Sequence, residues 1–526
     1  MDNPKIKRAI ISLTDKSGIV EFAHALVDEF DVEIVSTGGT ARVLEAAGIP
    51  VRPIDDLTGF PEMMDGRVKT LHPKVHGGLL ARRDDPAHMA QAAEHGIGMI
   101  DMIVVNLYAF EATIAKPGVT FAEAIENIDI GGPSMLRSAA KNHASVAVVT
   151  KPSTYNAILD EMRANDGALT AETRARLALD VFRTTSAYDN AIFTWMDEQL
   201  SGKRDFVDDK RLFLHKESEL RYGENPHQKA AFYKLGKDAG EGAEYMLANA
   251  TKIQGKELSY NNYLDLNAAW AAVREFDEPA CVIVKHLTPC GIAVDADITT
   301  AYMRAWECDT VSAFGGVMAF NREVPAALID AVINKNKQFI EAIIAPSFEP
   351  GALELLQLKP NARVLVTGGL NPAGQGFEFH SVEGGILCQQ LDRVAEDPAT
   401  FTVPTKAKPT PEQMDELLFA WKACKAVKSN AIIITKDHAT VGTGAGQPNR
   451  VNSARIAAEQ AGEKAKGAVA ASDAFMPFPD SLEVLIAAGV TAVIQPGGSI
   501  RDDQAIAAAD AAGIPMVFTG HRHFRH

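Results

Sequence analysis

The sequence has few cysteines, and none stand in paired spacing. Its 526 residues include five cysteines and no C-x-x-C pair, which argues against a disulfide framework and a cysteine zinc site and indicates reduced thiols. No apolar run reaches the roughly 18 residues that a membrane span needs. The N-terminus also lacks the apolar core of a signal peptide. These absences predict a cytoplasmic protein.

Basic residues are too few to balance the acidic ones. The chain has 52 Lys and Arg against 68 Asp and Glu, so its formal net charge is −16. A surface of this sign repels nucleic acids and anionic membranes. We therefore expect neither as a partner, and any phosphate that binds must meet a local cluster of cations and backbone donors.

The length and the order of patterns predict several domains, because 526 residues exceed what one core usually supports. Alternating apolar runs and amphipathic stretches predict βα units in a parallel sheet. A charged stretch around residues 197–211 and a Pro-rich gap at 404–411 interrupt this pattern. We predict domains at 1–199 and 200–526, the second of two lobes that split near residue 405. The predicted elements are strands at 8–13, 32–35 and 102–105 and helices at 18–30 and 40–47.

Polar or glycine-rich loops follow the predicted strands of the first domain, at 12–16, 36–40, 66–73 and 106–108. In parallel sheets, ligands bind beyond the carboxyl ends of the strands. The run Thr37-Gly-Gly-Thr40 precedes a helix, and it is either a phosphate cradle or simply a turn.

Two further segments of the first domain bring charged side chains to one side of the chain. In an extended chain Arg67 and Lys69 point the same way, although they also fit a solvated basic edge. The helix predicted after Pro133 places Ser134, Arg137, Ser138 and Lys141 on one face, as a site or as an exposed polar stripe. Asp129 stands just before this helix, where it either caps the helix or orients a substrate.

In the second half, the run "ACVIVKHLTPCG" (280–291) leads four apolar residues into Lys285 and His286. An imidazole is suited to accept a proton near neutral pH, and an adjacent ammonium favours its neutral form. The ammonium also suits a developing oxyanion. The alternative is that one side chain faces solvent while the other packs in the core.

Taken together, these motifs resemble a known family. The ordered set "TDKSG", "STGGTA", "GRVKTLHP", "IDIGGPSMLRSAAKN", "LRYGENPHQ", "KHLTPCG", "SAFGG", "SDAFMPFPD" and "QPGGSIRD" resembles the bifunctional purine biosynthesis family that joins AICAR transformylase to IMP cyclohydrolase. The resemblance implies an α/β protein, with an N-terminal domain like methylglyoxal synthase and two α/β lobes like cytidine deaminase. It implies formyl transfer from 10-formyltetrahydrofolate to AICAR, then cyclisation of formyl-AICAR to IMP with loss of water.

The resemblance also implies small-molecule substrates, no catalytic metal and a homodimer. The alternative that the residues leave open is a formyltransferase whose N-terminal domain senses nucleotides without catalysis. Lys69, Tyr108 and Lys141 together argue against that alternative.

For formyl transfer, the resemblance implies that Lys285 and His286 are catalytic. It assigns AICAR binding to Arg221, Tyr222, Gly315, Glu341, Asn430, Arg450, Phe475 and Arg522. It assigns folate binding to Val451, Asp480, Gly497 and Gly498. Met476 stands where the family often has an aromatic residue, which leaves the local packing open.

For cyclisation, the resemblance implies that Lys141 carries the proton and that Lys69, Tyr108 and Asp129 orient the reacting groups. The implied nucleotide contacts are Thr14, Asp15, Lys16, Thr37, Gly38, Gly39, Thr40, Arg67, Val68, Thr70, Asn106 and Ile130.

Overall fold

The computed structural model describes residues 3–202, 205–235, 243–370 and 376–526. The chain divides into two compact units, Met1–Phe213 and Leu214–His526. No helix within the described ranges has both the length and the apolar character that crossing a bilayer requires.

The first unit is built on a parallel sheet with helices on both faces. Its strands are β1 (Arg8–Ser12), β2 (Glu33–Ser36), β3 (Arg52–Pro53), β4 (Met102–Val105) and β5 (Ala147–Val149). Its helices are α1 (Ile19–Asp28), α2 (Gly38–Ala46), α3 (Ile54–Thr58), α4 (Pro73–Leu80), α5 (Pro86–Glu94), α6 (Phe110–Ile114), α7 (Phe121–Glu126), α8 (Gly131–Lys141), α9 (Tyr155–Ala164) and α10 (Ala171–Ser201). The strand order is β3-β2-β1-β4-β5.

The inner residues of β1 and β2 and all residues of β4 and β5 are apolar, because both faces of the sheet are covered there. Ala9 and Ile11 pack into one apolar cluster with α1 and α9, whereas Ile10 packs into a second cluster with α4 and α8. The predicted strands and helices of this unit are confirmed to within a few residues. The charged stretch at 197–211 was predicted to be a linker throughout, which is wrong at its start, since α10 continues to Ser201.

The second unit is also α/β, and its main sheet is mixed. Its strands are β6 (Leu214–Leu220), β7 (Ala230–Leu235), β8 (Thr251–Gln254), β9 (Ala280–Lys285), β10 (Thr288–Val294), β11 (Val317–Phe320), β12 (Ala342–Ala345), β13 (Arg363–Val366), β14 (Phe377–Val382), β15 (Gly385–Gln390), β16 (Ile432–Lys436), β17 (Ala439–Gly444), β18 (Val469–Ser472), β19 (Ala492–Gln495) and β20 (Met516–Phe518). Its helices are α11 (Tyr260–Val273), α12 (Ile298–Trp306), α13 (Thr310–Ala313), α14 (Ala326–Asp330), α15 (Pro350–Leu356), α16 (Pro411–Lys425), α17 (Arg450–Ala461), α18 (Asp480–Ala488) and α19 (Asp502–Ala512).

Among the described residues, eleven of these strands form one sheet of order β20-β19-β18-β16-β17-β10-β9-β11-β12-β13-β8. The β9–β10 hairpin is followed by the parallel strands β11 to β13, and the β16–β17 hairpin is followed by the parallel strands β18 to β20. The two hairpins pair antiparallel through β10 and β17. Apart from β8 at one edge, the sheet is therefore two copies of one five-stranded arrangement, joined side by side.

One apolar cluster spans both halves of this sheet. It includes Trp270 of α11 and Trp421 of α16, packed against strands of both hairpins. On the opposite face, α12, α14 and α15 cover the first half, while α17, α18 and α19 cover the second half. The shared cluster explains why residues on either side of 405 fold as one unit.

Candidate active sites

In the first unit, loops from three strands meet at the carboxyl edge of the sheet, as predicted. Ser12 Oγ lies 3.1 Å from Thr37 Oγ1, which joins the ends of β1 and β2. The Asn106 amide, after β4, accepts bonds from Thr14 N (2.6 Å) and Asp15 N (3.1 Å) and donates to Asp15 O (2.7 Å). The Asn106 side chain thus fixes the conformation of the loop after β1.

The glycine pair that begins α2 lies between two lysines. A Cβ placed on Gly38 would lie 3.3 Å from Lys69 Nζ, and one placed on Gly39 would lie 4.0 Å from Lys16 Cε. The buried Thr40 hydroxyl accepts from Leu13 N over 2.9 Å, which ties α2 to the same edge. Backbone donors at a helix N-terminus between two ammonium-bearing side chains suit a phosphate.

The segment around Arg67 and Lys69 was predicted to be extended, with both cations pointing the same way, and this is wrong. Gly66, at φ 91°, turns the chain, and the backbone is helical at Arg67 (φ −62°, ψ −32°). Arg67 therefore pairs with Glu126, while Lys69 Nζ lies 2.5 Å from Glu62 Oε2. Of the two cations, Lys69 is the one at the glycine pair.

Asp129 caps α8, and so one of its two predicted roles is confirmed. Its Oδ1 accepts from Gly132 N over 2.9 Å, and its Oδ2 accepts from Tyr108 N over 3.4 Å. Burial raises the pKa of the Asp129 carboxyl. Burial, and then the nearby Asp129 charge, raise the pKa of the half-exposed Tyr108. The carboxyl and the phenol therefore share one edge of the unit.

The polar face of α8 extends away from this edge. Thr70 Oγ1 would lie 2.7 Å from a Cβ on Gly131, so the start of the helix is at the site. The exposed Ile130 side chain is beside it. Lys141 is ten residues further along the helix, about 15 Å from Gly131 at 1.5 Å per residue. Within one chain, Lys141 does not join Lys69, Tyr108 and Asp129.

In the second unit, a tight hairpin turn presents His286. His286 and Leu287 have φ angles of 54° and 65°, as a two-residue turn between antiparallel strands requires. The Asp265 carboxylate on α11 accepts from His286 N (3.3 Å) and Leu287 N (2.7 Å). His286 is exposed and Lys285 is half-buried, so of the two side chains it is the histidine that faces solvent.

The equivalent hairpin in the other half of the sheet is built the same way. Asp437 and His438 have φ angles of 53° and 58°, and His438 N donates to Glu416 Oε2 over 2.7 Å. Because β16 runs antiparallel to β18 and β10 antiparallel to β17, this second turn lies at the opposite edge of the sheet. It provides an internal comparison for the first turn.

Around Lys285, two strand starts meet the end of β9. Lys285 Nζ donates to Phe314 O over 3.1 Å, next to Gly315 at φ 78°. Glu341, just before β12, accepts from Asn262 Nδ2 (3.0 Å) and from Arg363 Nη1 (2.9 Å) through its Oε1. The predicted residues Lys285, Gly315 and Glu341 therefore lie together, with the Glu341 carboxylate already held by two donors.

Strand registers bring the second half of the sheet to the same edge. Ile432 pairs with Gly444 and with Ser472, so the start of β16 meets the ends of β17 and β18 there. The start of β10 and the end of β9 share this edge. Asn430, which precedes β16, consequently lies on the edge that carries His286.

Asn430 belongs to a buried network. Its Oδ1 accepts from Arg450 Nη2 over 2.8 Å, and its Nδ2 donates to Gln447 O over 2.9 Å. The Arg450 side chain is only 7% exposed and also pairs with the fully buried Asp473 carboxylate. Arg450 therefore has its guanidinium engaged inside the unit, where it orients Asn430.

The other folate and AICAR contacts implied for the second half of the sheet are placed along the same edge. Met476 is completely buried in an apolar cluster, and its N donates to Gln495 Oε1 over 3.0 Å. The methionine therefore fills the core position where the family often has an aromatic residue. A Cβ on Gly497 would lie 2.5 Å from the Phe518 ring, whereas the Gly498 position is open. The remaining contacts follow strand ends or begin helices, and they are Val451, Phe475, Asp480 and Arg522.

The segment after β6 reaches α11. The Arg221 guanidinium lies 5.6 Å from the Tyr222 ring centroid, and Asn261 Nδ2 on α11 donates to Glu224 O over 3.3 Å. This contact brings the predicted pair to the helix that also carries Asp265.

Three positioning residues were missed from the sequence, namely Asn262, Asp265 and Asp473. One local signal was available for the first two. Ser259 and Asn262 form a capping box at the start of α11, and Asp265 follows one turn later on the same face. No local pattern marks Asp473, since its partner Arg450 is 23 residues away.

Two family models match this chain. The AICARFT/IMPCHase bienzyme family matches residues 139–460, and the MGS-like domain matches residues 18–134. A solved structure titled "Crystal structure of ForH" is 36% identical over 36% of this chain and 97% of its own length, with a TM-score of 0.33.

Proposed function

The chain belongs to the AICARFT/IMPCHase bienzyme family, and we infer that each of its two units carries one of the family's activities. It is a bifunctional enzyme of purine biosynthesis, with AICAR formyltransferase and IMP cyclohydrolase activities. We assign cyclisation to the first unit, where the MGS-like match lies, and formyl transfer to the second unit. Family membership does not favour a purely sensory N-terminal domain.

The observation that carries the second assignment is the shared edge of the eleven-stranded sheet. Lys285 and His286 lie there at the end of β9, and Asn430 lies on the same edge before β16. Strands β10 and β17 stand between them, a separation of about 14 Å at roughly 4.8 Å per strand. We propose that the formyl donor is 10-formyltetrahydrofolate, the cosubstrate that this family uses. His286 removes a proton from the AICAR amine as its nitrogen attacks the formyl carbon.

The reaction also requires stabilisation of the charge on the formyl oxygen and protonation of the folate nitrogen that leaves. Lys285 stabilises the oxyanion that develops on the formyl oxygen, and Asn430 orients the group in transfer. Collapse of the intermediate releases the folate nitrogen, which takes up the proton that His286 received. The exposed imidazole on a turn fixed by Asp265 supports this role, because it combines access with a defined position.

For cyclisation, we propose that the phosphate binds at the glycine pair between Lys16 and Lys69. The carboxamide nitrogen then attacks the formyl carbon and gives up one proton. The formamido nitrogen gives up a second proton as its double bond to that carbon forms, and the formyl oxygen takes up both protons and departs as water. Positioning supplies much of the rate, because both reacting groups are on one molecule. Tyr108 and Asp129 orient them, and the raised pKa of the buried Asp129 carboxyl supports a part in proton transfer.

Lys141 lies about one helix length from Tyr108 and Asp129, too far to act on the same substrate within one chain. We propose that the enzyme is a cytoplasmic homodimer, as the family resemblance implies, and that Lys141 acts on the site of the second copy. The five cysteines are all free, which is compatible with a reducing compartment.

The direct test supplies the full chain with AICAR and 10-formyltetrahydrofolate and monitors IMP. A second assay supplies formyl-AICAR alone. The proposal expects IMP in both assays. IMP formation in neither, with a folded protein, would refute it, and formyl-AICAR accumulation in the first would support the sensory alternative for the N-terminal unit.

A further inference from the structure

A cluster of two histidines and two carboxylates lies at the C-terminal segment, outside the chemistry described above. His523 Nε2 is 2.9 Å from Glu396 Oε1, and His521 Nε2 is 3.1 Å from Glu396 Oε2. Within the described part of the chain, this is the one group of three such side chains whose ligand atoms all lie within 4.8 Å of one another. We propose that Glu396, His521 and His523 bind a divalent transition-metal ion, with Zn²⁺ as the best match.

The atoms and their spacing fit this class of ion. Zn²⁺ takes imidazole nitrogen at about 2.0–2.1 Å and carboxylate oxygen at about 2.0–2.2 Å, which places tetrahedral ligand atoms about 3.3 Å apart. The imidazoles approach Glu396 to 2.9–3.2 Å, and the two ring nitrogens lie within 4.8 Å of each other, so the three ligand atoms already surround one point. Two imidazoles and one carboxylate favour Zn²⁺ over Mg²⁺ or Ca²⁺, which prefer oxygen.

The surroundings supply the outer support that metal-binding histidines usually have. His523 is 1% exposed, and its other ring nitrogen, Nδ1, lies 2.5 Å from Asp392 Oδ2. A carboxylate on the far nitrogen fixes the tautomer and directs Nε2 at a metal.

The ion would have a structural role. His521 and His523 flank Arg522, whose guanidinium lies over the Phe524 ring at 4.2 Å. His523 N donates to Asp473 O over 3.0 Å, and Asp473 holds Arg450. A metal that fixes these two histidines therefore fixes the end of the chain against the network that positions Asn430. No reacting atom touches the ion in this proposal.

The test uses the full-length protein after treatment with a chelator. Zn²⁺ is titrated by calorimetry, and Co²⁺ by visible absorption. The expected result is one ion per chain, with the intense visible bands of tetrahedral Co²⁺ and a rise in Tm when Zn²⁺ is added. His521→Gln removes a partly exposed ligand, and it should weaken Zn²⁺ binding by at least about 10–100-fold while the metal-free Tm stays unchanged.

His438→Gln is the matched control. His438 Nε2 also pairs with a carboxylate, Asp415, over 2.9 Å, but it belongs to no such three-residue group in the described ranges. This variant should bind Zn²⁺ as the unmodified protein does. Equal binding by the unmodified protein and folded His521→Gln, or no stoichiometric binding by either, would overturn the metal site. Both readouts are independent of formyl transfer, so they do not depend on the proposed function.

Discussion

Arg450 Nη2 donates to Asn430 Oδ1 over 2.8 Å, and this bond connects a buried ion pair to the edge that carries His286. The Asp473 partner of Arg450 is fully buried. Breaking a buried pair by removing one member typically costs about 3–5 kcal/mol. The position of Asn430 is thus fixed by an interaction that the protein does not readily rearrange.

The first prediction concerns this bond. Asn430→Ala should lower kcat for formyl transfer about 10²-fold or more, as loss of an oriented polar group in an active site does. Arg450→Lys keeps a charge for Asp473 but loses the planar fork that also reaches Asn430, so it should lower the same kcat.

The double variant Asn430→Ala/Arg450→Lys tests whether the two residues act together in formyl transfer. If Arg450 acts through Asn430, the losses should be far from additive, and cyclisation of formyl-AICAR should stay unchanged. Additive losses in steady-state kcat would show that Arg450 contacts the substrate directly instead.

A second prediction compares the two hairpin turns. Asp265→Ala removes the acceptor for both turn amides at His286, so kcat for formyl transfer should fall while KM changes little. Glu416→Ala removes the corresponding acceptor at His438 and should leave kcat unchanged. Unfolding curves check that both variants fold. Equal kinetic losses in the two would mean that the first turn has no special role.

Much of the fold followed from local pattern. Buried runs such as 102–105 predicted strands, and the Gly38-Gly39 pair predicted a helix start, which the structure places at the pair itself. The turn at Arg67 was missed because an alternation of two cations reads as extended chain, while Gly66 at φ 91° decides otherwise. Contacts between distant residues, such as Arg450 with Asp473, leave no local signature, so the sequence did not predict this ion pair. The AICAR contact that the resemblance assigns to Arg450 stays a prediction.

The third prediction tests the place of Lys141. Lys69→Ala and Lys141→Ala should each abolish cyclisation as pure homodimers. If Lys141 serves the second copy's site, a mixed population of the two should regain about a quarter of the activity, because half of the dimers then contain one intact site. Refolding or subunit exchange makes the mixture, and IMP formation from formyl-AICAR is measured. An inactive mixture that contains heterodimers would exclude this arrangement.

The fourth prediction concerns pH. Burial raises the pKa of Asp129 in the folded state above its ordinary value of 3.8. At pH values between 3.8 and the raised pKa of the folded state, the folded protein binds more protons than the unfolded chain. The free energy of unfolding therefore falls as pH rises. The stability of the unmodified protein relative to Asp129→Asn should therefore decrease as pH rises through this window.

Asp85 is the control of opposite sign. It caps α5, and its bonds from Ala87 N and His88 N help to lower its pKa. The Asp85 carboxylate should add to the free energy of unfolding, measured against Asp85→Asn, at pH values above 3.8. This contribution should be lost as pH falls through the lowered pKa of Asp85. Denaturant unfolding at several pH values measures both slopes, and a rising slope for Asp129 would contradict its buried placement.

The central claim is that His286 serves formyl transfer alone, on an edge separate from cyclisation. The most direct measurement is both activities of His286→Ala, with His438→Ala as the control at the equivalent turn. Formyl transfer to AICAR should fall by about 10²–10⁴-fold, the usual loss for a general base, while IMP formation from formyl-AICAR stays at the unmodified rate. Undiminished formyl transfer in His286→Ala, or equal loss in His438→Ala, would contradict the account.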